Sequence, residues 1–166
     1  PGCAMSEQKV GRALEAQFKG TDKRILVATF ASNVHRVQQI INTAAKFGRK
    51  VAVSGRSLDN IVKVTTELGY MDIPPGLLID INMVRKYPDD QLCIITTGSQ
   101  GEPMSALYRM AYGSHRQVEV GPHDKILISA SPIPGNEKSI YSLINELTRR
   151  GAEVVYDKLA EMHVSG

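Results

Sequence analysis

The chain of 166 residues has no tryptophan, three phenylalanines, six tyrosines and two cysteines. With so few rings, any nucleic acid would be held mainly through its phosphates, with base stacking secondary. Cys3 and Cys93 are far apart and form no CxxC pair. That excludes a disulfide framework and suits a cytoplasmic setting. Cys93 lies in an apolar run and reads as a small buried hydrophobe. No apolar run approaches the length of a bilayer span, so no membrane partner is expected. None of the four histidines, His35, His115, His123 and His163, pairs with another at ligand spacing, so no metal site is expected within the chain. The absence of GxGxxG, GxxxxGK[ST] and GxSxG argues against a Rossmann dehydrogenase, a P-loop NTPase and an α/β-hydrolase nucleophile elbow. A formal charge of +3 permits an RNA or phosphate partner without requiring one.

What is present is ordinary globular composition, 42% hydrophobic and 22% charged, at a length that suits one domain with a real core. No internal repeat or linker divides residues 1–166. The opening Pro1-Gly2-Cys3-Ala4-Met5 and the closing Met162-His163-Val164-Ser165-Gly166 are expected to be cut ends of a longer protein.

Helical spacing runs from Met5 to Phe18, with Ser6 as a candidate cap, from Val34 to Phe47, from Leu58 to Leu68, from Met104 to Tyr112 and from Glu137 to Arg149. Strands are expected over Arg24–Phe30, Lys50–Ser54, Leu77–Asp80, Leu92–Thr96, Lys125–Ser129 and Glu153–Tyr156. A short edge strand is expected at Val118–Val120 and a short helix over 81–87. Strands alternating with helices predict an α/β fold. It would be a three-layer, mostly parallel, Rossmann-like sheet with helices on both faces and right-handed crossovers. Ligands of such sheets bind beyond the carboxyl ends of the strands. Chemistry is therefore expected just after Phe30, Ser54, Thr97, Ser129 and Tyr156.

Five segments lie at or near those places. Leu92–Thr97 runs into Gly98-Ser99-Gln100-Gly101-Glu102-Pro103, a strand, a glycine loop and a proline suited to a first helical turn. Such a junction aims backbone amides at a phosphate, and it is also how an ordinary tight βα turn looks. Ser32 and Asn33 can cap a helix or bind a ligand. His35 and Arg36 sit in that helix's first turn, where the dipole disfavours cations unless an anion is bound. Ser54-Gly55-Arg56-Ser57 reads equally as a routine turn. Ser131-Pro132-Ile133-Pro134-Gly135-Asn136 is stiffened by two prolines and leads into a helix. His163 and Ser165 would face the same way in an extended segment.

Taken in order, PGCAMSEQKVG, TFASNVHR, TTGSQGEPMSAL, SASPIPGNE and GAEVVYDKLAEMHVSG resemble the β-CASP domain of the RNase J family of metallo-β-lactamase-fold ribonucleases. They span nearly the whole chain. The resemblance implies a larger enzyme in which a zinc-bearing metallo-β-lactamase domain is interrupted by this one. RNA would pass between the two, and two metal ions would activate water for phosphodiester cleavage. The activity implied is 5′-to-3′ exonuclease, favouring a 5′-monophosphate, together with endonuclease cutting in RNA decay and processing. The single-stranded RNA, the metallo-β-lactamase domain and further copies of the protein are the implied partners. His163, in a supporting catalytic role, and Ser165 match the start of a His-x-Ser-x-His motif whose last member would fall just past Gly166. Gly98, Ser99, Gln100, Gly101, Ser131, Gly135 and Asn136 match segments lining the nucleotide channel, and Ser32, His35 and Arg36 belong to the first matching loop. Gly121-Pro122-His123-Asp124 departs from the family's Gly-Asp turn and reads as a surface substitution. The family's zinc ligands are absent, so this segment is expected to be inactive alone. A non-catalytic paralogue serving as an RNA-binding or scaffolding subunit, and a free-standing nucleotide-binding module, are the rival readings.

Overall fold

The structure, a computed structural model, describes residues 2–156, with side chains from Glu7 onward. His163 and Ser165 lie outside the described residues. The elements are α1 (Gly2–Phe18), β1 (Arg24–Ala28), α2 (Val34–Lys46), β2 (Lys50–Ser54), α3 (Arg56–Glu67), β3 (Leu92–Thr96), α4 (Ala106–Tyr112), β4 (Asp124–Ile128), α5 (Glu137–Arg149) and β5 (Glu153–Val155). Short 3-10 turns at Ile81–Lys86 and Asp89–Gln91 precede β3. The strands form one sheet in the order β2-β3-β1-β4-β5, and every neighbouring pair is parallel.

The apolar runs are continuous because both faces of the sheet are covered. Side chains of a strand alternate between faces. Ile25, Val27, Cys93 and Ile95 pack with α1, α2 and α3, while Leu26, Ala28, Leu92 and Ile94 pack with α4 and α5. Cys93 is fully buried, and burial pushes its thiol up to about 12. It is therefore an inert packing residue, as its neighbours predict.

Two arginines fasten the amino end of the sheet. Arg49, 3% exposed, donates from Nη1 to the carbonyls of Lys23 (2.8 Å), Asp89 (3.1 Å) and Leu92 (2.8 Å), and from Nη2 to that of Thr21 (2.9 Å). Its guanidinium also lies 5.9 Å from the centre of the Phe18 ring. Arg24 grips Asp124 in a two-pronged pair at 2.6 and 2.9 Å, joining the first residues of β1 and β4. In the departing Gly121–Asp124 turn, Pro122 and His123 are exposed but Asp124 is buried in this clasp.

Several boundaries differ from the periodicity. Leu77–Asp80 is not a strand, and only Leu78 bridges Val51. Pro74-Pro75-Gly76 on one side and Asp80, which caps the next 3-10 turn, on the other leave room for a single bridge. That bridge still covers part of the β2 edge, since the Val51 amide donates to the Leu77 carbonyl and the Ile79 amide to that of Val51. Val118–Val120 is no strand either. Val118 and Val120 are buried in the core beside α4 and α5. α1 runs through Ser6, which therefore does not cap it. β1 stops at Ala28 rather than Phe30, and β5 at Val155 rather than Tyr156. α4 starts at Ala106, two residues later than its apolar pattern, because the Ser105 hydroxyl caps it and Pro103 sits in the turn before.

Arg49→Met removes four hydrogen bonds from buried or half-buried carbonyls. It should lower the unfolding free energy by about 3 kcal/mol, measured by urea denaturation.

Candidate nucleic-acid interface

β1 lies between β3 and β4. The helix after β1 covers one face, and the helices after β3 and β4 cover the other. The chain therefore diverges on both sides of the carboxyl end of β1, which is where open α/β sheets bind ligands. Three loops meet there: 29–33, 97–105 and 129–136.

Gln100 joins two of them. It is 3% exposed. Its Oε1 accepts from the Ile133 amide at 2.8 Å and from Asn136 Nδ2 at 3.2 Å, and its Nε2 donates to the Ser131 carbonyl at 3.0 Å. Its backbone amide donates to Glu102 Oε1 at 2.8 Å. Gly101 permits the close approach behind this clasp. At φ 71° its missing Cβ would lie 2.4 Å from the Ser139 carbonyl oxygen, in the first turn of α5. Gly98, at φ 112°, is pressed against Ser105 and Leu107 in the same way. Gly98, Ser99, Gln100 and Gly101 are all buried. The glycine loop is thus a framework, and the solvent-facing residues of the two loops include Glu102, Pro103 and Met104 on one and Ile133, Pro134 and Gly135 on the other. Gly135, with nothing near its missing Cβ, donates its amide to Glu137 Oε2 at 2.9 Å.

The third loop is tied in by Arg36. Asn33 caps α2 through Oδ1, accepting from the Arg36 amide at 3.0 Å. The Arg36 side chain turns inward, donating from Nη1 to Ser129 Oγ at 2.6 Å and from Nε to Gln39 Oε1 at 3.0 Å. Burial pulls its guanidinium below the usual arginine value, and the Glu7 carboxylate opposes that pull. Ser32 and His35 remain exposed, and His35 Nε2 lies 3.3 Å from Glu7 Oε2. Thr29, the first residue beyond β1, has a buried hydroxyl with no hydrogen-bond partner among the described residues.

Beyond β2, Ser54 Oγ lies 2.8 Å from His115 Nε2. His115 Nδ1 accepts from the amides of Gln117 and Val118, both at 3.1 Å. The proton therefore sits on Nε2 and is donated to Ser54. A nitrogen carrying that proton cannot take another from the serine, so the pair is a latch and not a nucleophile with its base. Its members stand 61 positions apart in the chain, and no motif marked His115. A cavity of about 760 Å³ lies elsewhere, beside the outer edge of β2 between α3 and residues 73–81. Asp59 lines it, pushed up by burial and by the Asp80 carboxylate. Among the described residues no group of three His, Cys, Asp or Glu could hold a metal ion, and no helix is long and apolar enough to cross a membrane.

The family model for the Ribonuclease J beta-CASP domain matches residues 22–147. This chain belongs to that family. It is 45% identical over 99% of its length to Ribonuclease J of Helicobacter pylori, covering 24% of that protein. It is 46% identical over its full length to Ribonuclease J of Mycobacterium tuberculosis, covering 30%. With Ribonuclease J of Thermus thermophilus the identity is 40%, again over the full length and covering 29%. The chain thus spans less than a third of the length of these relatives. The three tied loops follow β1, β3 and β4, the three central strands of the five-stranded sheet.

Two outcomes follow from the hydrogen bonds. Gln100→Ala should cost about 2 kcal/mol and raise hydrogen exchange at the Ile133 amide, since it removes three half-buried hydrogen bonds between the loops. His115, held neutral by burial and by the nearby Arg109 charge, has a lowered pKa in the fold. Its unfolded value is about 6.5, so the unfolded chain binds the extra proton first as pH falls. The latch's stability is complete above that value and is lost as pH drops toward the folded value. His115→Asn keeps an acceptor for the two amides and does not titrate. Urea midpoints between about pH 7.5 and 5 should fall more for the parent than for this variant.

Proposed function

We propose that this chain is the RNA-holding part of a zinc-dependent ribonuclease of the RNase J type, acting 5′-to-3′ and internally on single-stranded RNA with a 5′-monophosphate. The metal ions belong to a metallo-β-lactamase domain outside these residues, and the complete protein works in the cytoplasm as a homo-oligomer. The observation that carries this reading is the carboxyl edge around β1. Loops 97–105 and 129–136 are locked together by Gln100, and Arg36 braces the β4 end from α2.

The chemistry of that edge is binding and orientation. Exposed Ser32 and His35 offer side-chain donors to phosphate oxygens. A framework already rigid before RNA arrives loses little entropy on binding. Cleavage itself needs groups that the described residues lack. His163 and Ser165 would join the phosphate contacts from the last segment of the chain.

Binding of a 5′-monophosphorylated oligonucleotide should weaken with salt. A log–log slope of about −1.5 to −2 is expected if two or three phosphates are engaged. The complete protein should degrade 5′-labelled RNA, and a chelator should stop it. Binding without salt dependence would remove the phosphate-holding role. Binding without cleavage by the metal-loaded complete protein would make it a non-catalytic RNA-binding paralogue.

A further inference from the structure

Among the described residues Met104 is the one non-glycine with a positive φ, at 67°. At the ten other left-handed positions the chain uses glycine. A Cβ is disfavoured there, and strained residues of this kind cluster at ligand clamps. Glycine would fit position 104 without strain, so the methionine is not explained by the turn. Packing does not explain it either, because Met104 is 69% exposed.

The turn holds Met104 in this conformation from both sides. The Ser105 amide and hydroxyl donate to the Glu102 carbonyl at 3.2 and 2.8 Å, and Ser105 Oγ accepts from the Tyr108 amide at 3.4 Å. Glu102 is in turn bonded to the Gln100 amide. Ile133, 49% exposed, lies on the loop that Gln100 clasps to this one. Two apolar side chains thus stand on the clasped loops, among exposed Glu102, Pro103, Pro134 and Gly135.

We propose that Met104, supported by Ile133, is a base-contact residue whose thioether packs on the face of one nucleobase of the bound strand. The inference rests on the RNA-binding reading above and deepens it. The chain has no tryptophan, and the described side chains of these three loops offer no exposed large aromatic ring. A polarizable sulfur packs favourably against an aromatic face, and a nucleobase supplies one whatever its identity. Two apolar side chains set among polar and proline residues suit one flat ring better than a protein partner, which needs a continuous apolar patch.

The test uses the complete natural polypeptide containing this chain, with chelator present to prevent cleavage. Single-stranded 5′-monophosphorylated oligonucleotides are compared with a set carrying one abasic site at each position in turn. Met104→Gly should bind the intact oligonucleotide about two- to tenfold more weakly, with Met104→Leu between it and the parent. The factor should be the same at low and high salt, because an apolar contact releases no counterions. At one abasic position the parent and Met104→Gly should bind equally. The melting temperature of Met104→Gly should not fall, since glycine relieves the backbone. Unchanged RNA affinity, an equal loss at every abasic position, or an altered salt slope would overturn the assignment. A Met104→Gly defect confined to oligomer assembly would also overturn it, in favour of a protein contact. If the parent protein binds no RNA at all, the functional reading itself fails, which is a different result.

Discussion

The side-chain amide of Gln100 reaches from the loop after β3 to the loop after β4 and makes three hydrogen bonds there without leaving the protein interior. Both loops follow neighbours of β1, and without a tie each would move on its own helix. A buried amide is costly to leave unpaired, so the loops must present the Ser131 carbonyl, the Ile133 amide and Asn136 together to satisfy it. Gly101 makes this possible by letting the backbone press against the first turn of α5. The placing of the loop that carries Ile133 against the loop that carries Met104 depends on that clasp.

The opposite end of the sheet uses a different device. Arg49 collects four carbonyls from three segments, and Arg24 joins β1 to β4 through Asp124. These contacts stabilise strand register where no ligand is expected. The rigid amino end and the clasped carboxyl end leave exposed donors and apolar tips as the parts free to meet a partner. The strain at Met104 sits on that free side, where a contact can give it a use.

Much of the architecture was legible because continuous apolar runs flanked by amphipathic helices admit few arrangements other than a covered parallel sheet. Gly98–Gly101 reads in sequence as a phosphate loop or an ordinary tight turn, and in the structure its residues are buried. Gln100 reads as a ligand contact in sequence, whereas its side chain is taken up by the neighbouring loop. Arg36 likewise turns inward to Ser129. What the motif could not express is direction: residue type and spacing do not say whether a polar side chain faces solvent or another loop. The Ser54–His115 latch and the Arg49 staple were illegible because each joins segments distant in the chain, with no local pattern at either end. Met104 was hidden inside an apolar helical pattern, and its φ is set by Ser105 capping a helix that begins later than that pattern.

If RNA meets the clasped carboxyl edge, an amide NMR titration with a short single-stranded RNA reads it most directly. Shifts should concentrate at residues 29–36, 97–105 and 129–136, with the amino-end segments 19–23, 47–50 and 89–91 unmoved. Shifts centred on those amino-end segments, or on the cavity between α3 and residues 73–81, would show that RNA binds elsewhere and that the carboxyl edge is not its site.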